Sequence, residues 1–156
     1  MKTFSGSIAC STKGNNHILD LTADLLKLVE ESGVRTGQLV AMVIGSTAGL
    51  TTLEFEPGLA NHDIAAAMER VAPEDGHYVH EGTWGDNNGH SHVRAALMGA
   101  SVALPIVEGR LPLGTWQQVV LVDFDTRPRE RSIVVTIVGE QNKRDNSAQT
   151  PPPRRA

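Results

Sequence analysis

The last third of the chain constrains the fold most. Three β-rich runs, Ser101 to Glu108, Thr115 to Phe124 and Arg131 to Val138, are separated by short breaks containing Gly109 and Arg127-Pro128. A parallel crossover needs a dozen or more residues, so these runs read as consecutive antiparallel strands. The upstream pattern is mixed. Met1 to about Cys10 reads as a first strand leading into the turn-rich Ser11-Thr12-Lys13-Gly14-Asn15-Asn16. Leu21, Leu25, Leu28 and Val29 recur at helical spacing, with Asp20 or Thr22 as cap and Ser32-Gly33 as stop. Gln38 to Ile44 reads as a buried strand ended by Gly45, and Leu50 to Phe55 alternates as another.

Pro57 suits a first helical turn, and Ala60, Ile64, Ala67, Met68 and Val71 mark a second amphipathic helix stopping before Pro73. Val93 to Met98 reads as a short helix closed by Gly99. The sum is an α+β fold. At 156 residues, with no internal repeat, the chain suits one domain with one moderate core. That domain is assigned to residues 1–140. Residues 141–156 carry no large apolar anchor and are expected to be a disordered tail.

Composition narrows the classes. A net charge of -4, with basic residues scattered until the extreme C-terminus, gives no footprint for nucleic acid. Three Phe, two Trp and one Tyr supply few stacking platforms for bases. The single Cys10 cannot pair within the chain, and the N-terminus lacks a basic-then-apolar leader, so a cytoplasmic location is expected. No apolar run approaches the ~20 residues that span a bilayer, so no membrane partner is expected.

Chemistry concentrates in Tyr78-Val79-His80-Glu81 and Asp86-Asn87-Asn88-Gly89-His90-Ser91-His92. Imidazoles at 80, 90 and 92, interleaved with carboxylates, can converge on a metal ion or an anion. A solvent-exposed loop is the plainer alternative, and His17 and His77 are read that way. One cysteine excludes a Cys-rich zinc site, and no His-Glu-x-x-His helix is present. Ser46, Thr47, Thr51 and Thr52 around two glycines can offer hydroxyls and backbone N–H groups to phosphate, or can simply be turn and strand residues; no P-loop lysine follows. Glu54 and Glu56, at a strand end, are acid/base or cation-binding candidates, or merely solvated. His62 and Asp63 are second-tier candidates. Trp116 and Gln117 can stack on and hydrogen-bond a heteroaromatic ring, or Trp116 can be core. Arg129 and Arg131 can hold phosphate or lie exposed at a strand start.

Gly45-Ser46-Thr47-Ala48-Gly49-Leu50-Thr51-Thr52-Leu53-Glu54, His62-Asp63, Tyr78-x-His80, Ser91-His92, Leu97-x-Gly99-x-Ser101, Leu104-Pro105 and Gly114-Thr115-Trp116-Gln117 followed by Arg131 together resemble the YjbQ family over about residues 2 to 140. The resemblance implies a compact β-sandwich-like sheet assembly with packed helices, a homotrimer with pockets near subunit boundaries, and a secondary thiamine-phosphate synthase activity. It favours Glu54 over Glu56 and Arg131 over Arg129. Many members carry His-Thr-Thr where this chain has Gly45-Ser46-Thr47, so one site histidine is absent here, while His90 is additional to the matched His92.

The expected function is therefore synthesis of thiamine phosphate from hydroxymethylpyrimidine diphosphate and thiazole phosphate with release of pyrophosphate, as a main or side activity. A metal-dependent hydrolase or lyase of a small phosphorylated metabolite, and a non-catalytic trimeric small-anion-binding protein, are the alternatives. Glu54, His80 and His92 are the catalytic candidates. Ser46, Thr47, Trp116, Gln117 and Arg131 are the substrate-binding ones. His80, His90 and His92 would hold zinc or magnesium, and no organic cofactor is expected.

Overall fold

The computed structural model describes residues 1–141. In chain order the elements are β1 (Lys2–Thr12), β2 (His17–Asp20), α1 (Thr22–Ser32), β3 (Thr36–Ile44), β4 (Ala48–Leu53), a π-helical segment (Leu59–Asp63) continuing into α2 (Ile64–Val71), α3 (Glu81–Trp84), α4 (Gly89–Met98), β5 (Ser101–Ile106), β6 (Gln118–Asp123) and β7 (Arg129–Glu140). They form a mixed α+β domain of two antiparallel sheets, ordered β1-β7-β3-β5 and β2-β6-β4.

The burial pattern explains the layering. Along β7, Ile133, Val135 and Ile137 are fully buried and the residues between them face out, the period-2 signature of a sheet with one covered face. β6 is buried from Val119 through Asp123 because its sheet is covered on both sides. Val119 and Leu121 join the core against the larger sheet and α1, where Leu25 and Val29 close the packing. Val120, Val122 and Phe124 turn the other way, onto Ala95 of α4 and Ile64 and Met68 of α2. The outer face of the larger sheet presents Ser5, Ser7, Val40, Met42, Ile44, Ser132, Val134 and Thr136.

The expected helices and β3 are present, with Asp20 Oδ1 accepting the Thr22 N–H at 2.8 Å as α1 begins. The pairing of the last three runs differs from expectation. β5 pairs with β3, β6 with β2 and β4, and β7 inserts between β1 and β3. Their short connections cross between the layers of the sandwich, so they imply antiparallel pairing without neighbourhood. β2, just after the expected turn residues, was not among the expected elements, and β4 starts at Ala48 rather than Leu50. The expected tail lies outside the described residues except for Gln141, whose amide donates to the Ser32 carbonyl at 3.3 Å. Among the described residues no helix is long and apolar enough to cross a membrane.

Candidate functional site

The start of β4, the end of β6 and the start of β7 meet at one end of the sandwich, and the sequence puts charge on each. Arg131 is buried and clamps Asp123 through Nε at 2.6 Å and Nη2 at 2.7 Å, with Nη2 also donating to Thr47 Oγ1 at 2.8 Å. Thr12 donates to the same aspartate at 2.5 Å. Thr47 in turn donates to Asp125 Oδ2 at 2.8 Å, and Arg129 Nε reaches that oxygen at 2.9 Å. Burial alone would raise both aspartates, but the hydrogen bonds from arginine and threonine outweigh it and hold them below the ordinary carboxylate range.

This network forms one wall of a cavity of about 380 Å³ lined by Gly45, Ser46, Thr47, Asp125, Arg129 and Arg131 on one side and by His80, Trp84, Asp86, Asn88 and His92 on the other. Nη1 of Arg131 makes no hydrogen bond among the described residues and lies beside Gly45. A β-carbon placed on Gly45 would come within 2.6 Å of it, and Gly45 sits at φ +132°, where side chains are strained. A histidine at this position would therefore require a different backbone and a displaced Arg131.

The histidine segment is more ordered than a loop. α4 begins at Gly89, with the Asn88 carbonyl accepting the N–H groups of Ser91 and His92 at 2.9 and 3.3 Å. Two positions apart on a helix are about 200° apart around its axis, so His90 and His92 cannot share a target. His92 turns to the cavity, where its ring lies 4.5 Å from that of His80, and His80 Nε2 is 3.7 Å from Asp86. His90 is buried beside Tyr78 and lowered by burial and then by the charge of Arg94. Among the described residues no three His, Cys, Asp or Glu side chains form a metal-ligating group. The set His80, His90 and His92 does not fit a shared metal ion.

The remaining candidates divide by place. Ser46 is exposed at the cavity, Thr47 is committed to the buried network, and Arg131 offers one nitrogen. Glu54, Trp116 and Gln117 lie at the opposite end of the smaller sheet, where Leu53 pairs with Gln118. The length of β4 separates them from the cavity by roughly 17 Å. There Gln117 donates to Thr52 Oγ1 at 3.0 Å and Trp116 is 72% exposed, so it is not core. Glu56 is the cap of the following helix, accepting the N–H groups of Gly58 and Leu59. His62 and Asp63 pair with each other at 2.8 Å on the exposed side of the π-helical segment.

Asp123, Asp125, Trp84 and Arg94 were not singled out from the sequence, where Arg129 stood below Arg131. Arg129 is half-buried and lines the cavity, and its side chain hydrogen-bonds through Nε alone among the described residues. Arg94 is buried and ties α4 to the Ala72 carbonyl at 2.9 Å, Asn16 at 3.1 Å and Glu69 at 2.6 Å, which fixes the helix that carries His92. The one available signal was the spacing Asp123-x-Asp125 with Arg129-x-Arg131, charges flanking strands whose interiors are otherwise apolar.

Several known proteins resemble this chain over most of its length. A UPF0047 protein of Methanothermobacter thermautotrophicus is 33% identical over 90% of this chain and 95% of its own length. The UPF0047 protein YjbQ of Escherichia coli O157:H7 is 28% identical over 88% and 99%. The crystal structure of a YbjQ-like protein of unknown function from Sulfolobus solfataricus P2 superposes with a TM-score of 0.83 at 33% identity, covering 89% of this chain and 99% of that one. The profile of the YjbQ-like UPF0047 proteins matches residues 6–140, and the chain belongs to that family.

Proposed function

We propose that the cavity binds a small phosphorylated substrate and that the chain acts as a thiamine-phosphate synthase-like transferase. The observation that carries this reading is the convergence of Arg129, the free Nη1 of Arg131 and the hydroxyl of Ser46 opposite the His80–His92 pair. In the reaction the thiazole nitrogen supplies the electron pair of a new C–N bond to the methylene carbon of hydroxymethylpyrimidine. The C–O bond to the diphosphate breaks, and its electron pair leaves on pyrophosphate. Arginines aimed at the departing oxygens lower the cost of that charge, and an imidazole can hydrogen-bond or protonate it. Zinc or magnesium belongs to this reading only as an ion carried in on the diphosphate.

A homotrimer belongs to it as well. Between Lys2 and Glu140 and short of Glu130, the outer face of the larger sheet carries no charged side chain, a composition suited to burial against another copy. A hydrolase or lyase is the second reading, supported by the His80–Asp86 approach of 3.7 Å, which suits a general base activating water.

The test is pyrophosphate release from the two substrates, with and without zinc or magnesium, by the wild type, His92→Ala and Arg129→Ala. Release lost in both variants supports the transferase. Phosphate release from the diphosphate alone supports the hydrolase, and saturable binding without turnover supports a binding protein.

A further inference from the structure

The two walls of the charged cavity are held in different ways. Asp125, Arg129 and Arg131 belong to the buried network at the ends of β6 and β7. His80, Trp84 and Asp86, on the other wall, belong to the stretch between Tyr78 and Asn88. Among the described residues, the hydrogen bonds of residues 79–87 all close within residues 78–87. The N–H groups of Glu81, Gly82, Thr83 and Gly85 donate to the carbonyls of Tyr78, Val79, His80 and Glu81 at 2.8 to 3.2 Å. The ion pair of His80 with Asp86 is internal as well. None of residues 79–87 is buried, and a β-carbon on Gly82 would have nothing within 4 Å.

The base of this stretch, by contrast, is fixed. The Tyr78 hydroxyl donates to the Pro73 carbonyl at 2.7 Å, and Asn88 and His90 are buried where α4 begins. A β-carbon on Gly89 would stand 2.4 Å from that of Tyr78, so the two ends of the loop touch. A short loop with joined ends is an Ω-loop, and a segment with few buried contacts and only local hydrogen bonds is among the first to move.

There is room on both flanks. Outside the loop, a cavity of about 570 Å³ separates Glu81 and Asn87 from Glu69, Glu74 and Asp75. Like charges across that gap oppose collapse to the outer side, which leaves the arginine side as the favoured direction. Two polar atoms are also left incomplete. His80 Nε2 and Asn88 Oδ1 are buried without a hydrogen-bond partner among the described residues, and the imidazole nitrogen stops 3.7 Å from Asp86. Buried polar groups are normally paired, and a shift of roughly 0.5–1 Å would bring that contact to hydrogen-bond length.

We propose that residues 79–87 form a lid that closes over an anion in the charged cavity, with Trp84 as its covering side chain and the His80–Asp86 pair as its latch. Trp84 lines the cavity yet is 73% exposed, so the arrangement described is the open one. Closure lays the indole over the opening and excludes water, which strengthens the hold of Arg129 on the anion. Pairing with His80 offsets the charge of the lid carboxylate that faces the anion. The inference rests on the phosphate reading of the cavity and adds a moving part to it.

Trp116→Phe leaves Trp84 as the one tryptophan of the chain, and Trp116 is exposed enough for that variant to fold. Inorganic pyrophosphate is the probe, with its binding followed by calorimetry. At saturation, acrylamide quenching of Trp84 should fall by about twofold or more, and amide hydrogen exchange of residues 79–87 in the wild type should slow while that of β3 stays unchanged. Trp84→Ala should bind pyrophosphate about tenfold more weakly. Asp86→Ala, placed in the Trp116→Phe background, should protect Trp84 less at saturation. Binding heat with unchanged quenching and exchange overturns the lid and leaves the phosphate reading standing. Full affinity in Trp84→Ala overturns Trp84 as the cover. Absence of binding heat overturns the phosphate reading and the lid with it.

Discussion

The two ends of the β2-β6-β4 sheet are built on opposite terms. At the Thr47 end, Asp123, Asp125 and Arg131 are almost wholly buried; Arg131 hydrogen-bonds Asp123 directly and reaches Asp125 through Thr47. At the Leu53 end, Glu54, Trp116 and Gln117 are exposed, and the contacts between strand and loop are single amide-to-hydroxyl or amide-to-backbone hydrogen bonds. A buried charge left without its partner is costly, so the first end is rigid by necessity and holds its wall of the cavity in one shape. The second end is free to change its side chains without changing the fold. Residues at both ends were candidates from sequence, and those at the first end line a common cavity.

Breaking the comparison at its strongest point should give the largest effect. Asp123→Ala strands the Arg131 guanidinium and should destabilise the protein by about 3–5 kcal/mol. Gln117→Ala at the other end removes an exposed hydrogen bond and should cost about 1 kcal/mol or less. Urea denaturation of both variants beside the wild type measures the difference, and equal losses would dissolve the contrast.

Gly45→Ala comes next. The left-handed backbone and the nearby Arg131 nitrogen should make it cost about 1–3 kcal/mol. Thermal unfolding would register this, and a neutral result would show that the loop and Arg131 shift freely.

The smallest and most graded effect is on acidification. His90 and the two aspartates all have folded values below their ordinary ones. The unfolded chain therefore binds protons first, and stability present at neutral pH is lost as pH falls. The histidine contribution begins to go below about pH 6.5 and the aspartate contribution below about pH 3.8, the ordinary values of those groups. Urea midpoints of the wild type and His90→Gln across this range should diverge first in the upper window, with the variant flatter there.

Much of the fold was legible because apolar spacing reports local geometry directly. The 3.6-residue period of Leu21, Leu25, Leu28 and Val29 gives α1, and the alternation around Ile133, Val135 and Ile137 gives β7. The start of α4 was not legible, because Gly89-His90-Ser91-His92 has no apolar period; burial of His90 and Ser91 against Tyr78 and the body of the domain decides it. Strand partnership was likewise hidden, since short loops state direction but not which layer a strand enters.

By itself, then, the sequence determined the types of the longer elements, the antiparallel sense of the strands, the family and the presence of His80, His92, Ser46 and Arg131 as chemically able groups. The tertiary structure alone decided that His90 faces inward while His92 faces the cavity, that Arg131 is largely spent on Asp123, and that Arg129 is the freer cation. It also placed Glu54, Trp116 and Gln117 at the far end of a strand. The physical reason is that side-chain direction and hydrogen-bond commitment depend on partners distant in the chain, and local spacing carries no record of them.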